Sequence, residues 1–175
     1  MTTTPWRQMT HAERTRWVWD HWKLGLPMMV VVLAYMAMTV PMFAPLPVMP
    51  NIALLLVLLW TLYRPQQMPD WTGFIAGLAG DVFLGTPIGT NALLMPLFMA
   101  GIAFIDNYVR RATWAEDWLF SVPVLLLYHA ALWKLCAFVG MPIPFLPLAT
   151  QAAATIAIYP LAAHLFARAQ RRWSQ

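Results

Sequence analysis

The chain has a single cysteine, Cys136, in its 175 residues. That excludes an internal disulfide and any metal site built from several thiolates. Cys136 lies among Leu135, Ala137 and Phe138, where a buried, inert thiol is expected. Charge is equally scarce. Asp, Glu, Lys and Arg make up 10% of the residues, against roughly a quarter in an ordinary soluble domain. There is no phosphate-binding glycine loop, no GxSxG elbow, no HExxH pair and no cysteine cluster. Nothing places a nucleophile beside a base at a spacing that chemistry would use. No enzyme activity, cofactor or metal is therefore expected. A second domain is not expected either, because no internal repeat and no long linker interrupts the chain.

What the chain does have is apolar sequence, 61% of its residues. Runs of that length and purity mark an integral membrane protein. Six apolar segments are expected, at about 25–43, 48–63, 71–85, 90–109, 118–139 and 146–167. The third is short: fifteen residues rise only about 22 Å, against a hydrocarbon core of roughly 30 Å. Pro41, Pro96, Pro123 and Pro160 fall in or near these segments and are expected to kink or end a helix. The first run follows 23 mostly polar residues and exceeds the length of a signal-peptide core, so it is expected to be retained as a membrane helix. The formal net charge of +4 sits in short clusters between apolar runs. Anionic lipid and membrane topology account for that pattern, and no nucleic-acid partner is expected.

The clusters also orient the chain. With the N-terminus cytoplasmic, six spans bring the C-terminus back to the same side. The cytoplasmic pieces then hold Arg7, Arg14, Arg16, Lys23, Arg64, Arg110, Arg111, Arg168, Arg171 and Arg172. The external turns, near 44–47, 86–89 and 140–145, hold no lysine or arginine. An odd number of spans would spoil this asymmetry. The expected organisation is a cytoplasmic N-terminal segment over 1–23, a six-helix membrane domain over 24–167 and a basic cytoplasmic tail over 168–175. The N-terminal segment carries Trp6, Trp17, Trp19 and Trp22, and Thr10 with Glu13 has capping-box spacing. It reads as an interfacial helix on anionic lipid, or as a tail ending in an aromatic belt.

The most distinctive stretch is DWTGFIAGLAGDVFLGTPIGTNAL, from Asp70 to Leu93. Gly73, Gly77 and Asp81 lie four residues apart and share a helix face, and the two glycines invite close approach by another backbone. After Gly85 comes a turn in which Pro87 fixes φ and Gly89 can take positive φ. A carboxylate inside a membrane helix is costly unless it meets protein or water. Asp81 is therefore either a proton, cation or partner site, or an acceptor for the turn at 86–90. In the second reading it meets the unsatisfied N–H groups of the next helix, with Thr86, Thr90 and Asn91 as further donors. If only an acceptor is needed, asparagine should substitute well. Lys134 lies in the fifth span, where its stem can snorkel outward. Whether it pairs with Asp81 depends on which end of the spans depth is counted from. His129 and His164 lack a carboxylate beside them and read as polar contacts between helices. Asp106 with Arg110 has ion-pair spacing, and Glu116 and Asp117 fall near the positive end of the fifth helix.

The pattern GLxxDxxxGxPxGxxxL from Gly77 to Leu93, with Arg64-Pro65 ahead of it, resembles the central motif of the bacterial rod shape-determining MreD family. That resemblance implies an all-α polytopic fold of about six transmembrane helices, like the substrate-binding subunits of energy-coupling-factor transporters. It implies a non-catalytic component of the cell-elongation machinery in the bacterial inner membrane. The partners implied are an MreC-like membrane protein, the wall-elongation glycosyltransferase and transpeptidase, and, indirectly, the actin-like MreB filament. The alternative is a small-molecule-binding membrane subunit of a transporter, with Asp81 and Lys134 lining its cavity.

Overall fold

A computed structural model describes residues 11–39, 49–106, 108 and 113–173. These residues form six α-helices and no strand: α1 (His11–Thr39), α2 (Ile52–Tyr63), α3 (Asp70–Leu84), α4 (Thr90–Asp106), α5 (Trp114–Phe138) and α6 (Phe145–Trp173). A single 3-10 turn, Pro65–Gln67, joins α2 to α3. Two helical stretches, Ala115–Phe138 and Phe145–Ala169, are long and apolar enough to cross a membrane. The other apolar helices, among them Gly25–Thr39, are shorter. Thr10, Trp6, Pro41, Arg110 and the turn near 44–47 lie outside the described residues. α1 runs without a break through residue 24, and α6 through residue 168, so the polar ends continue their neighbouring helices.

Local chemistry sets the helix ends. Asn51 caps α2, its Oδ1 accepting the Leu54 N–H at 3.0 Å. The helix stops at Arg64, whose extended φ of −144° suits a residue that precedes proline. Thr113 and Glu116 form a capping box on α5, with Glu116 and Asp117 in its first turn as the charge pattern suggested. At the far end of α5 the Met141 N–H reaches the Cys136 carbonyl at 3.0 Å across Gly140. Pro96, Pro123 and Pro160 interrupt no helix; each lies inside one that continues on both sides. A proline removes one i−4 bond, and the remaining turns, held by packing, carry the helix through it.

The architecture turns on α2. Its residues Ala53, Leu54, Leu55, Val57, Leu58, Leu59, Trp60 and Thr61 are all buried. α1, α4 and α6 pack around it, α3 packs against α1 and α4, and α5 lies between α4 and α6. α2 is thus the central helix. Trp60 meets the edge of Phe166 on α6, with ring centroids 4.9 Å apart. At its other end the Asn51 N–H donates to Thr155 Oγ1 of α6 at 2.9 Å, and Thr155 is fully buried. By contrast α5 and α6 leave Leu127 and Leu146 each 72% exposed, apolar surface that a bundle in water would not present so widely.

The Asn51–Thr155 bond is the anchor of α2 to α6. Thr155→Val keeps the shape and removes the acceptor, leaving a buried N–H unpaired at a cost of about 1–3 kcal/mol. Unfolding of the purified protein in mixed micelles should show that loss, and Thr155→Ser should restore most of it. A valine variant as stable as the parent would mean that the bond contributes nothing.

Candidate functional site at the turn between α3 and α4

α3 and α4 form a hairpin whose backbones nearly touch. A Cβ built on Gly77 would lie 2.1 Å from the Asn91 carbonyl oxygen and 2.7 Å from Ala92 Cα. One built on Gly73 would lie 2.7 Å from Met99 Sδ and 3.0 Å from Pro96 Cα. Backbone leaves room only for glycine at Gly77, while at Gly73 a Cβ would be tight against Pro96 and would displace the Met99 sulfur; both lie on the face the four-residue spacing implied. A third glycine, Gly80, serves a different neighbour: its missing side chain makes room for the Tyr35 hydroxyl of α1, 2.9 Å from where a Cβ would be.

The turn itself is closed by the Thr90 N–H donating to the Pro87 carbonyl at 3.0 Å. Gly85 ends α3 in the left-handed region, φ 68°, and Gly89 has φ 101° at the third position of the closed turn, where positive φ is required. Gly89 also occupies the N-cap position of α4, its carbonyl accepting the Leu93 N–H at 2.9 Å. Glycine has no side chain with which to cap a helix. Asp81, one helix away, supplies the missing cap.

Asp81 is 1% exposed and accepts four hydrogen bonds. Oδ1 takes the Thr86 hydroxyl at 2.8 Å and the Asn91 N–H at 2.9 Å. Oδ2 takes the Gly89 N–H at 2.8 Å and the Ala92 N–H at 3.2 Å. With Thr90 bonded to Pro87, the backbone N–H groups of residues 89–92 all have partners, and the anion sits at the positive end of the α4 dipole. Asn91 extends the network. Its Nδ2 donates to Thr86 Oγ1 at 2.8 Å, and its Oδ1 accepts the Tyr128 hydroxyl of α5 at 2.6 Å. A chain of side chains, Asp81–Thr86–Asn91–Tyr128, therefore ties α3, the turn, α4 and α5 together.

The remaining candidates lie elsewhere. Arg64 ends α2, its N–H bonded to the Trp60 carbonyl at 2.8 Å, at the opposite end of α3 from the turn. Lys134 is exposed on α5, with Nζ 4.7 Å from the centre of the Trp133 ring. All four of Asp81's bonds come from the turn and the start of α4, and Lys134 is not among its partners. His129 is buried but bonds within its own helix, Nδ1 lying 2.8 Å from the Leu125 carbonyl, and His164 is exposed on α6. Neither bridges two helices as the sequence suggested. Tyr128 and the full role of Asn91 were missed. An asparagine two residues after a glycine N-cap was the available signal for Asn91, and nothing in the spacing marks Tyr128.

The model of the rod shape-determining protein MreD family matches residues 21–168, most of the chain and the whole of this site. The chain belongs to the MreD family. No curated protein and no solved structure matches it. MreD proteins are membrane proteins of the rod-shape system, so the Asp81 clamp is part of a shape-determining protein.

Two outcomes follow for the MreD clamp. Gly77→Ala already places a carbon inside the Asn91 carbonyl, so it should force α3 from α4 and lower the yield of folded protein; a normal yield and melting profile would refute the close fit. Asp81→Asn turns one acceptor oxygen into an N–H donor group facing donors. The Thr86 hydroxyl can rotate to accept from it, but the Asn91 N–H cannot, which costs about 1–3 kcal/mol. Asp81→Ala leaves all four donors unpaired and should cost more. Both oxygens are in use, which corrects the expectation that asparagine is a near-equivalent. Denaturation midpoints should fall in the order Asp, Asn, Ala, and equal midpoints for Asp and Asn would disprove the four-bond account.

Proposed function

We propose that this protein is a six-span, non-catalytic component of the cell-elongation machinery in the bacterial inner membrane, with both termini in the cytoplasm. It binds an MreC-like membrane protein and, through it, helps to organise the glycosyltransferase and transpeptidase that build lateral wall, with MreB as an indirect cytoplasmic neighbour. Family membership over residues 21–168 supports the pathway. The six apolar helices, and the absence of lysine and arginine from the turns that a six-span reading puts outside, support the topology. The fold proposed is that of the substrate-binding subunits of energy-coupling-factor transporters.

The observation that carries the non-catalytic reading is how Asp81 is spent. All four of its acceptor positions close the turn and cap α4. A carboxylate used in this way shapes a surface. With the hairpin locked, the protein offers a rigid helical face to a partner, as a scaffold requires.

Alkaline phosphatase fused after Pro87 or Met141 should be active, and fusions after Arg64, Arg111 or Gln175 inactive. An active fusion at Gln175 would overturn the six-span arrangement. In cells depleted of the native protein, a tagged copy should restore rod shape and bring an MreC-like protein with it on purification. Rod shape restored without that partner would separate the pathway from the proposed scaffold role.

A further inference from the structure

The helices facing outward differ in length from one flank of the bundle to the other. On α3 the exposed apolar side chains begin at Trp71, 59% exposed, and end at Val82, 65% exposed. That stretch rises only about 17 Å at helical pitch. On α4 they run from Leu93, 56% exposed, to Ile105, 39% exposed, about 18 Å. On α5 the equivalent band runs from Trp118 to Phe138, and on α6 from Phe145 to Leu165. Each of those rises about 30 Å, matching a hydrocarbon core of roughly 30 Å. Tilt can only shorten a helix's projection on the membrane normal, so the axial rise is a ceiling for α3 and α4.

A short apolar flank can be met in two ways: the bilayer thins beside it, or the end of the hairpin sinks below the headgroups. The turn decides between them. Gly85, Ile88 and Gly89 are exposed, Ile88 by 82%, so no neighbouring helix covers the backbone there. Irregular backbone exposed to lipid is not tolerated within hydrocarbon; the Pro87 and Gly89 carbonyls accept from Thr90 and Leu93, but no helix covers the rest of the turn. The opposite end of the hairpin is bounded by Asp70 and Asp106. Both ends therefore need water or headgroups.

We infer that the α3–α4 flank thins the bilayer beside it, giving the protein a hydrophobic belt about 12 Å narrower there than along α5 and α6. The lipid surface that fits it is one of short acyl chains. This inference rests on the membrane-spanning reading.

The test is to reconstitute the full chain into vesicles of monounsaturated phosphatidylcholine with 14-, 18- or 22-carbon chains. Resistance to extraction at alkaline pH comes first; release from all three vesicle types would remove the membrane-spanning reading itself. For integrated protein, the denaturant midpoint should be highest with 14-carbon chains and lowest with 22-carbon chains. A flat series, or a maximum at 22 carbons, overturns the inference. In a Cys136→Ala background, Ile88→Cys should react with a membrane-impermeant maleimide in 18-carbon vesicles at a rate within about threefold of that in 14-carbon vesicles. Loss of labelling at 18 carbons would mean that the turn sinks while the bilayer keeps its thickness, which also overturns it.

Discussion

One carboxylate settles where three helices meet. A helix start leaves its first N–H groups without partners, and in a low-dielectric environment each is expensive to leave open. At α4 the residue that would normally cap the helix is Gly89, which the turn needs for its positive φ and which has no side chain. The conflict between turn geometry and helix capping is resolved from outside, by Asp81 on α3. The same bonds fix the register of α3 against α4, because Asp81 can reach residues 89–92 only when Gly77 lies against Asn91. Glycine contact and carboxylate cap thus depend on each other.

The clamp also explains the order of polar residues across the bundle. Asn91 donates its N–H to Asp81 and its side-chain amide N–H to Thr86, and its oxygen accepts the Tyr128 hydroxyl, so it is used on three sides. Such a network fixes one arrangement among many that apolar packing alone would accept, since leucines slide past one another at little cost while an unpaired amide does not. The placement of α5 is set through Tyr128, and α1 is fitted to the same place where Gly80 admits the Tyr35 hydroxyl.

Much of this was legible in the sequence because it depended on local geometry. Four-residue spacing places Gly73 and Gly77 on one face whatever lies opposite, and a Gly-x-Pro-x-Gly run is a turn in any context. Asp81 as a cap for the next helix was one of the two readings that the same local arithmetic allowed. What could not be read was tertiary. α2 is apolar all round, and an apolar surface looks the same whether it meets lipid or protein, so its central position was hidden. Tyr128 is 37 residues from Asn91, and no spacing rule links them. The Asp81–Lys134 pair was left open because depth depends on which helices are short, and the answer lay in which face of α5 turns outward.

Helix length is the constraint that connects the core with the surroundings. α2 has 12 residues, a rise of about 18 Å, which would strand it in a bilayer if lipid touched it. Wrapped by α1, α4 and α6, it leaves only Ile52 and Tyr63 at its two ends exposed, and its start is secured by Asn51 and Thr155. α3, with 15 residues, has no such cover on its outer side, where Trp71 and Val82 are exposed. The close glycine packing that makes the hairpin rigid also prevents α3 from sliding along α4 to adjust its height. A flexible hairpin could meet an ordinary bilayer by shifting; a clamped one leaves the adjustment to the lipid. The rigidity supplied by Asp81 is therefore what turns a short helix into a force on the membrane around it.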